Sequence, residues 1–374
     1  MRRIAIATLL YDRPKLIAAL LGVSLATTLA FVQIGLYRGF ELSASTVIEH
    51  IGGDVWVVPK GIEVVDNAQG VSVGPRNLLM SHPCVTDVRA VLYGFVLMQK
   101  PSGTRTTALV VAAEPRAGRT IPWAVTAGDR ADLDQPLRVS VDRTDLAKLE
   151  LPKDPIGTTF EISSREVTVA LVTDGIRSFT LNPYLFTSLA NARRFLGLSA
   201  SDAMYYTADL ARPDCVADVA KWMQQQPDVQ IVPTRTWMKK TEDHWVGGSG
   251  AGVALGFTAL LGLVVGGVIV GQTLYSMTKE HLTELATLKA LGASATELAG
   301  FVVWQVSFLA LLGGLGGLGF ATLLRSVVAK SGLNVVLSSQ TILTSVVAIL
   351  AMCAAASTMS IYTVVRVEPA EVLR

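Results

Sequence analysis

The chain has 374 residues, 51% of them hydrophobic and only 17% charged, with a mean hydropathy of +0.46. An average soluble domain is roughly a quarter charged, so this composition excludes both a single water-soluble globule and a disordered chain. Its 32 basic and 30 acidic residues leave a net charge of +2, which provides no electrostatic footprint for nucleic acid.

In chain order, residues 1–15 read as an interfacial amphipathic segment, with Arg2 and Arg3 toward headgroups and Ile4, Ile6, Leu9 and Leu10 apolar. Pro14 then separates it from the first span. Residues 16–37 carry no charge over 22 positions, about 33 Å as a helix against a bilayer core of about 30 Å. A cleaved signal peptide is disfavoured, because its apolar region is usually about 7–15 residues and no A-x-A site follows. Residues 38–246 are polar enough for an ordinary aqueous domain. Residues 54–58 predict a strand, 85–100 and 104–113 a hairpin around Pro101-Ser102-Gly103, and 158–162 with 166–172 a second hairpin. A helix over 216–225 and a short strand over 229–232 complete a mixed α+β domain. Three more uncharged runs follow, giving spans at 247–278, 298–324 and 341–365, with a short connection at 325–340 and a tail at 366–374. Trp237 and Trp245 read as anchors at the outer interface.

The fold expected is therefore a membrane protein of four transmembrane α-helices, with a large α+β extracytoplasmic domain between the first and second. Orientation follows from the short flanks. Arg2, Arg3, Arg13 and Lys15 precede the first span, Lys279 and Lys289 lie between the second and third, and Arg366 and Arg374 follow the last. The positive-inside rule places both termini and the loop 279–297 in the cytoplasm.

Catalytic and metal-binding classes find little support. His50, His82, His244 and His281 have no metal spacing, and the three cysteines have no redox or zinc spacing. Cys84 and Cys215 are free to pair in an oxidising compartment, or to stay apart in a domain with its own core. Gly70-Val-Ser-Val-Gly74 matches the nucleophile-elbow pattern, but both of its flanks read as loop. Asp129 to Asp134 lacks the terminal Glu of a calcium loop. No glycine precedes a lysine, so the sequence holds no phosphate-binding P-loop.

The informative stretch is the corner at 279–297. Leu282, Leu285, Leu288 and Leu291 recur every three residues and form one broad face, while Lys279, Glu280, Glu284 and Lys289 mark the boundary and the remaining faces. Gly292 is placed to end the helix in the left-handed conformation, and Ser294 with Glu297 forms a capping box that opens the third span. A leucine face at the membrane surface needs a cover, and a soluble partner is the expected one.

Gly267-Val-Ile-Val270, Gln272, Leu274-Tyr275, His281-Leu282 and Glu284-Leu-Ala-Thr-Leu-Lys-Ala-Leu-Gly292 resemble the permease subunits of ABC transporters related to MacB, FtsX and the lipoprotein-releasing complex. The ending at 367–374, with Glu368-Pro369-Ala370, is similar to the family's usual Asp-Pro-Ala close, and residues 54–58 look closest to the DevC-type branch. The resemblance implies a mechanotransmission permease and no enzyme. MacB itself carries a fused ATPase, which this sequence lacks, so ATP and Mg²⁺ are expected on a separate ABC ATPase subunit and no cofactor on this chain. It implies contact with that ATPase through Lys279, Glu280, His281, Glu284, Leu285, Leu288, Lys289, Leu291 and Gly292. It further implies a homodimer, to which the second-span glycines Gly252, Gly256, Gly262, Gly266, Gly267 and Gly271 are assigned. Gly313 to Gly319 are assigned to packing within the subunit. Export with a periplasmic adaptor and an outer-membrane channel is the expected role; an FtsX-like relay to a cell-wall hydrolase, or lipoprotein extraction, uses the same architecture.

Overall fold

A computed structural model describes residues 2–11, 13–67, 69–178, 180–248, 250–329 and 335–366. The side chains of Arg2, Arg3, Ile4, Ile6 and Lys15, residues 330–334, and the C-terminal motif at 367–374 lie outside the described residues. In chain order the elements are α1 (Arg2–Tyr11), α2 (Arg13–Ile51), β1 (Val55–Pro59), α3 (Gly74–Met80), β2 (Val85–Gln99) and β3 (Arg105–Ala113). Next come β4 (Val125–Gly128), β5 (Arg138–Asp142), α4 (Leu146–Leu149), β6 (Thr159–Ile162), β7 (Arg165–Thr173), β8 (Tyr184–Phe186) and α5 (Leu189–Leu196). The chain continues through β9 (Tyr205–Leu210), α6 (Val216–Trp222), β10 (Val229–Pro233), α7 (Thr234–Asp243), α8 (Ala251–Glu280), α9 (Leu282–Ala290), α10 (Ala295–Ala329) and α11 (Ser339–Val365). Two compact units result: Met1–Gly39 with Gly252–Arg374, and Phe40–Ala251.

The first unit is helical. Among the described residues four helices are long and apolar enough to cross a membrane, Leu16–Ile51, Gly252–Glu280, Ala295–Val328 and Ser339–Val365. The helices outrun the uncharged runs at several ends, α10 covering Ala295–Ala329 against 298–324, and two of the shifts have a clear local cause. The first helix runs on to Ile51, because the polar residues after Tyr37 end the apolar run without supplying a proline to end the helix. The second starts at Ala251, since His244–Gly248 forms a separate wide turn. Leu9 is fully buried beside Leu285 and Phe301, so the initial segment packs into the helical core as well as presenting Leu10 and Tyr11 outward.

The second unit is built on one ten-stranded sheet of order β10-β1-β9-β2-β6-β7-β4, with β3 pairing β2 and β8, and β5 pairing β7. Both predicted hairpins form: Gly94 faces Val110 across β2 and β3, and Phe160 faces Val167 across β6 and β7. Successive residues of a strand point to opposite faces, and here both faces are covered. Val55, Val57, Leu92 and Val110 enter one core cluster, while Trp56, Val58, Tyr93 and Val111 enter another with Val47, Ile48 and Ile51 of α2. Helices on both sides of the sheet explain why these strands are apolar without alternation. Cys84 and Cys215 are joined by a disulfide, Cα–Cα 6.1 Å, which closes the two-way reading of the sequence.

Neither tryptophan assigned to the membrane interface is a free anchor. Trp237 on α7 is fully buried in the sheet's second core cluster, an apolar ring serving the aqueous domain. Trp245 is half-buried and donates from Nε1 to Asp66 at 3.0 Å. Asp66 also accepts from Tyr93 at 2.7 Å. Burial pushes its carboxyl above the usual range, and the Tyr93 and Trp245 hydrogen bonds oppose that rise.

Asp142 ends β5 as a buried hub, accepting from the N–H groups of Thr144, Gly175 and Ile176 and from the Thr173 hydroxyl. Asp145 nearby is pushed up to about 6, first by burial and then by the charge on Asp142. Its folded-state value lies above its unfolded one, so between about pH 4 and 6 the folded state binds the extra proton and stability falls as pH rises. The penalty is complete above pH 6, on the order of 2–3 kcal/mol. Asp145→Asn is expected to raise stability toward denaturant at pH 7.5 by an amount of that order and to leave it unchanged at pH 3.5. Equal effects at both pH values would show that Asp145 ionises freely in the fold.

Candidate functional site

The corner between α8 and α10 is built by three local devices. His281 ends α8, its N–H donating to the Met277 carbonyl at 3.3 Å, and its own carbonyl accepts from Leu285 at 3.0 Å to start α9. At the far end Gly292 has φ +101°, a conformation costly for any residue with a Cβ. Its N–H reaches the Lys289 carbonyl at 3.1 Å, and the Ala293 N–H reaches Leu288 at 3.0 Å, the pair of bonds that defines a Schellman stop. The Ser294 N–H then donates to Glu297 at 2.9 Å and the Glu297 N–H to Ser294 Oγ at 3.3 Å, the reciprocal bonds of a capping box.

The leucine face is not bare. Leu285 and Ala286 are buried in the helical core, and Leu288 packs against it. Lys289 Nζ donates to the Val365 carbonyl at 2.8 Å, where α11 ends and orphan carbonyls need a donor. The chain therefore covers part of that face itself, fully at Leu285 and partly at Leu282 and Leu288. Four leucines spaced by three drift around a helix of 3.6 residues per turn; Leu282 is half-buried and Leu291, last in the series, is 80% exposed.

What α9 presents outward is a different stripe: Thr283, Glu284, Thr287, Ala290 and Leu291 are all exposed. The Glu284 carboxylate contacts His281 Nδ1 across one turn. Lys279 and Glu280 are exposed at the end of α8, with the Lys279 ammonium 5.4 Å from the Tyr275 ring centroid. Of the nine assigned corner residues, Leu285, Leu288 and Lys289 hold the corner to the helices, and Gly292 shapes it. His281 joins α8 to α9, and Lys279, Glu280, Glu284 and Leu291 reach the surface.

The second-span glycines also divide. A Cβ on Gly266 would stand 2.6 Å from the Ala26 Cβ, and one on Gly262 3.0 Å from Leu29, both on α2. Gly267 would meet Met352 at 3.3 Å and Gly271 the Ala356 carbonyl at 3.3 Å, both on α11. These four glycines close contacts within one chain; Gly252 is buried, and a Cβ on Gly256 would meet open space. Gly313, Gly316 and Gly317 of α10 abut Val23, Ser24 and Thr27 of α2, the intrasubunit packing expected of that cluster. The partners on α2 were legible only as small residues in a span. Ser24 and Thr27 hydroxyls donate to the Gly313 carbonyl at 3.1 and 3.0 Å, and Thr28 to Gly317 at 3.2 Å.

The pattern at Gly70 to Gly74 is flanked by helix on one side, because α3 begins at Gly74 with Pro75 in its first turn. Upstream, Val65–Asn67 is a 3-10 turn, and Val71 within the pattern makes only an isolated bridge to Ala203, so among the described residues the strand an elbow needs is not there.

Residues 256–369 match the family described as FtsX-like permease C-terminal, and residues 16–226 match the MacB-like periplasmic core domain. None of the curated proteins compared matches the chain. Among solved structures the chain is similar to the periplasmic region of MacB from Actinobacillus actinomycetemcomitans, at 14% identity over 52% of this chain and 96% of that one, TM-score 0.39. It is also similar to the extracellular domain of the noncanonic ABC-type transporter YknZ from Gram-positive bacteria, at 12% identity over 48% and 98% of the two chains, TM-score 0.36.

Proposed function

Because the chain belongs to the family of MacB-like and FtsX-like permeases, we propose that it is the membrane subunit through which a separate ABC ATPase drives export. The ATPase supplies ATP and Mg²⁺ chemistry and docks on the outward stripe of α9. The reading rests on one observation above all: α9 offers Glu284, Thr287 and Leu291 to solvent while Leu285, Leu288 and Lys289 fasten it to α10, α11 and their neighbours. A push on the outer stripe then reaches the helical core without being lost in a loose loop. The spans offer Gln33, Gln272 and Gln305 as their strongly polar amides. Gln33 accepts from Thr258 at 3.3 Å and Gln305 is buried, which fits helix packing better than an ion path.

In this reading both termini and the corner are cytoplasmic, and residues 38–246 lie outside the bacterial inner membrane. Two copies form a homodimer through outward faces of α8 that begin near Gly256. A periplasmic adaptor and an outer-membrane channel complete a DevC-type assembly. Purification in mild detergent tests the core of the proposal. The chain is expected to retain an ATPase with a P-loop, identified by mass, and to show ATP hydrolysis only with it. Single cysteines in place of Asp154 and Thr296 are expected to label from opposite sides of the membrane. Labelling of both from one side, or hydrolysis by the chain alone, overturns the proposal.

A further inference from the structure

Four arginines line one cavity of about 540 Å³ in the α+β unit, where the last turn of α2, the loop after β3, the turn Arg130–Asp134 and the first turn of α5 meet. Small-molecule sites fall in the range of about 300–1,000 Å³. The charges are not balanced internally. Arg116 is the paired one: its Nε donates to Asp209 at 3.1 Å, and Asp209 together with Asp87 holds Arg89, two carboxylates for two guanidiniums. The other three bond to carbonyls: Arg119 to Glu49, Arg130 Nε to Pro122 at 3.0 Å, and Arg193 Nε to Asp202 at 3.1 Å. A carbonyl satisfies an N–H and leaves the charge in place.

Two of the arginines are crowded together. The point where a Cβ on Gly52 would stand is 2.6 Å from one terminal nitrogen of Arg116 and 3.1 Å from one of Arg119. Two guanidiniums that reach the same point repel as like charges, and an anion beside them relieves the repulsion. Glycine at this position, with φ +72°, leaves the room. The acids lining the cavity are Glu114 and Asp134. Glu114 is engaged by Arg76 at 3.0 Å and by the Ala90 N–H at 2.9 Å, so Asp134 is the remaining one. The walls between the charges are apolar, with Ile51 and Leu133 nearly buried, and His50 stacks on Trp123 with ring centroids 3.7 Å apart.

We propose that this cavity binds a small organic anion, a phosphate or carboxylate carried on a partly apolar body, with Arg119, Arg130 and Arg193 around the anionic group. Guanidinium forks match such groups bidentately, and the first-turn N–H groups of α5 add to the positive potential. The ligand is either a soluble anion or the headgroup of an anionic lipid; both present the same chemistry to the arginines.

Full-length chain in phosphatidylcholine nanodiscs, titrated calorimetrically with phenyl phosphate, tests this. Binding at one site per chain is expected. It should weaken at least tenfold in the Arg119→Gln, Arg130→Gln double variant, and weaken in wild type as salt rises from 50 to 500 mM. Asp134→Asn should tighten it, which keeps the test open if the double variant unfolds. Arg105→Gln, an exposed arginine of β3 outside the cavity, should leave it unchanged. Phosphatidic acid in the nanodisc separates the sources: competition with phenyl phosphate identifies the lipid headgroup, and unaltered affinity identifies a soluble anion. Benzyl alcohol binding as tightly as phenyl phosphate, or a folded double variant with wild-type affinity, overturns the proposal and leaves the permease reading untouched.

Discussion

Gly317→Leu is expected to leave almost no folded protein in mild detergent. A Cβ at that position would stand 1.9 Å from Thr27 Oγ1 and 2.9 Å from the Ser24 carbonyl. The threonine has little freedom to turn away, because its hydroxyl is bonded to the Gly313 carbonyl at 3.0 Å. The carbonyl belongs to the backbone of α2 and moves only with the helix. A larger side chain must therefore part α2 from α10. That forfeits the three hydroxyl bonds to Gly313 and Gly317, each about 0.6 kcal/mol in a membrane core, on top of about 1–3 kcal/mol for overpacking. A loss of about 3 kcal/mol or more is a large fraction of a stability of about 5–15 kcal/mol. Gly314 and Gly319 sit in the same glycine run with nothing near their Cβ positions. Alanine at either should be neutral or stabilising by up to about 1 kcal/mol, through helix propensity alone. Thermal melts followed by size-exclusion chromatography decide it: if Gly317→Leu melts like wild type, the close approach of α2 and α10 is wrong.

That contrast between neighbouring glycines shows where sequence reasoning stops. Gly262/Gly266 and Gly313/Gly317 have the same spacing, and spacing says only that some backbone comes near. Which helix comes near depends on how several uniformly apolar cylinders are rotated, and an apolar cylinder carries no polar face to orient it. The corner was legible down to single hydrogen bonds, because Gly292 and the Ser294–Glu297 pair act on residues within one turn of themselves. The covered side of α9 was not, since Leu285 and Leu291 are the same residue in the same repeat and differ only in what other helices bring to them. The β2–β3 hairpin, with its Pro101-Ser102-Gly103 turn, was readable for the same local reason. Trp237 was misread because an amphipathic ring suits a membrane interface and a domain core equally well.

Glu284→Arg and Leu291→Asp are expected to uncouple this chain from its ATPase while leaving it folded. Both residues lie on the outward stripe of α9, with the Glu284 side chain 67% exposed and Leu291 80% exposed. Neither supports the helical core, so insertion and melting temperature should stay near wild type. On the proposed docking surface Glu284 meets a complementary charge, and reversing it creates a like-charge contact; an aspartate at Leu291 carries a charge into an apolar contact. Either change should weaken ATPase binding by about 2 kcal/mol or more, roughly thirtyfold, and transport should fall with it. Leu288→Asp is a poorer test than the leucine repeat implies. Leu288 packs against the chain's own core, so a charge there damages the corner whether or not a partner binds. Lys100→Glu, in the β2–β3 hairpin beside Glu150, provides the matched charge reversal away from the corner and should leave ATPase binding intact. If Glu284→Arg and Leu291→Asp both hold the ATPase with wild-type affinity and hydrolysis still drives transport, the outward stripe of α9 is solvated surface. The proposed coupling surface then lies elsewhere on the chain.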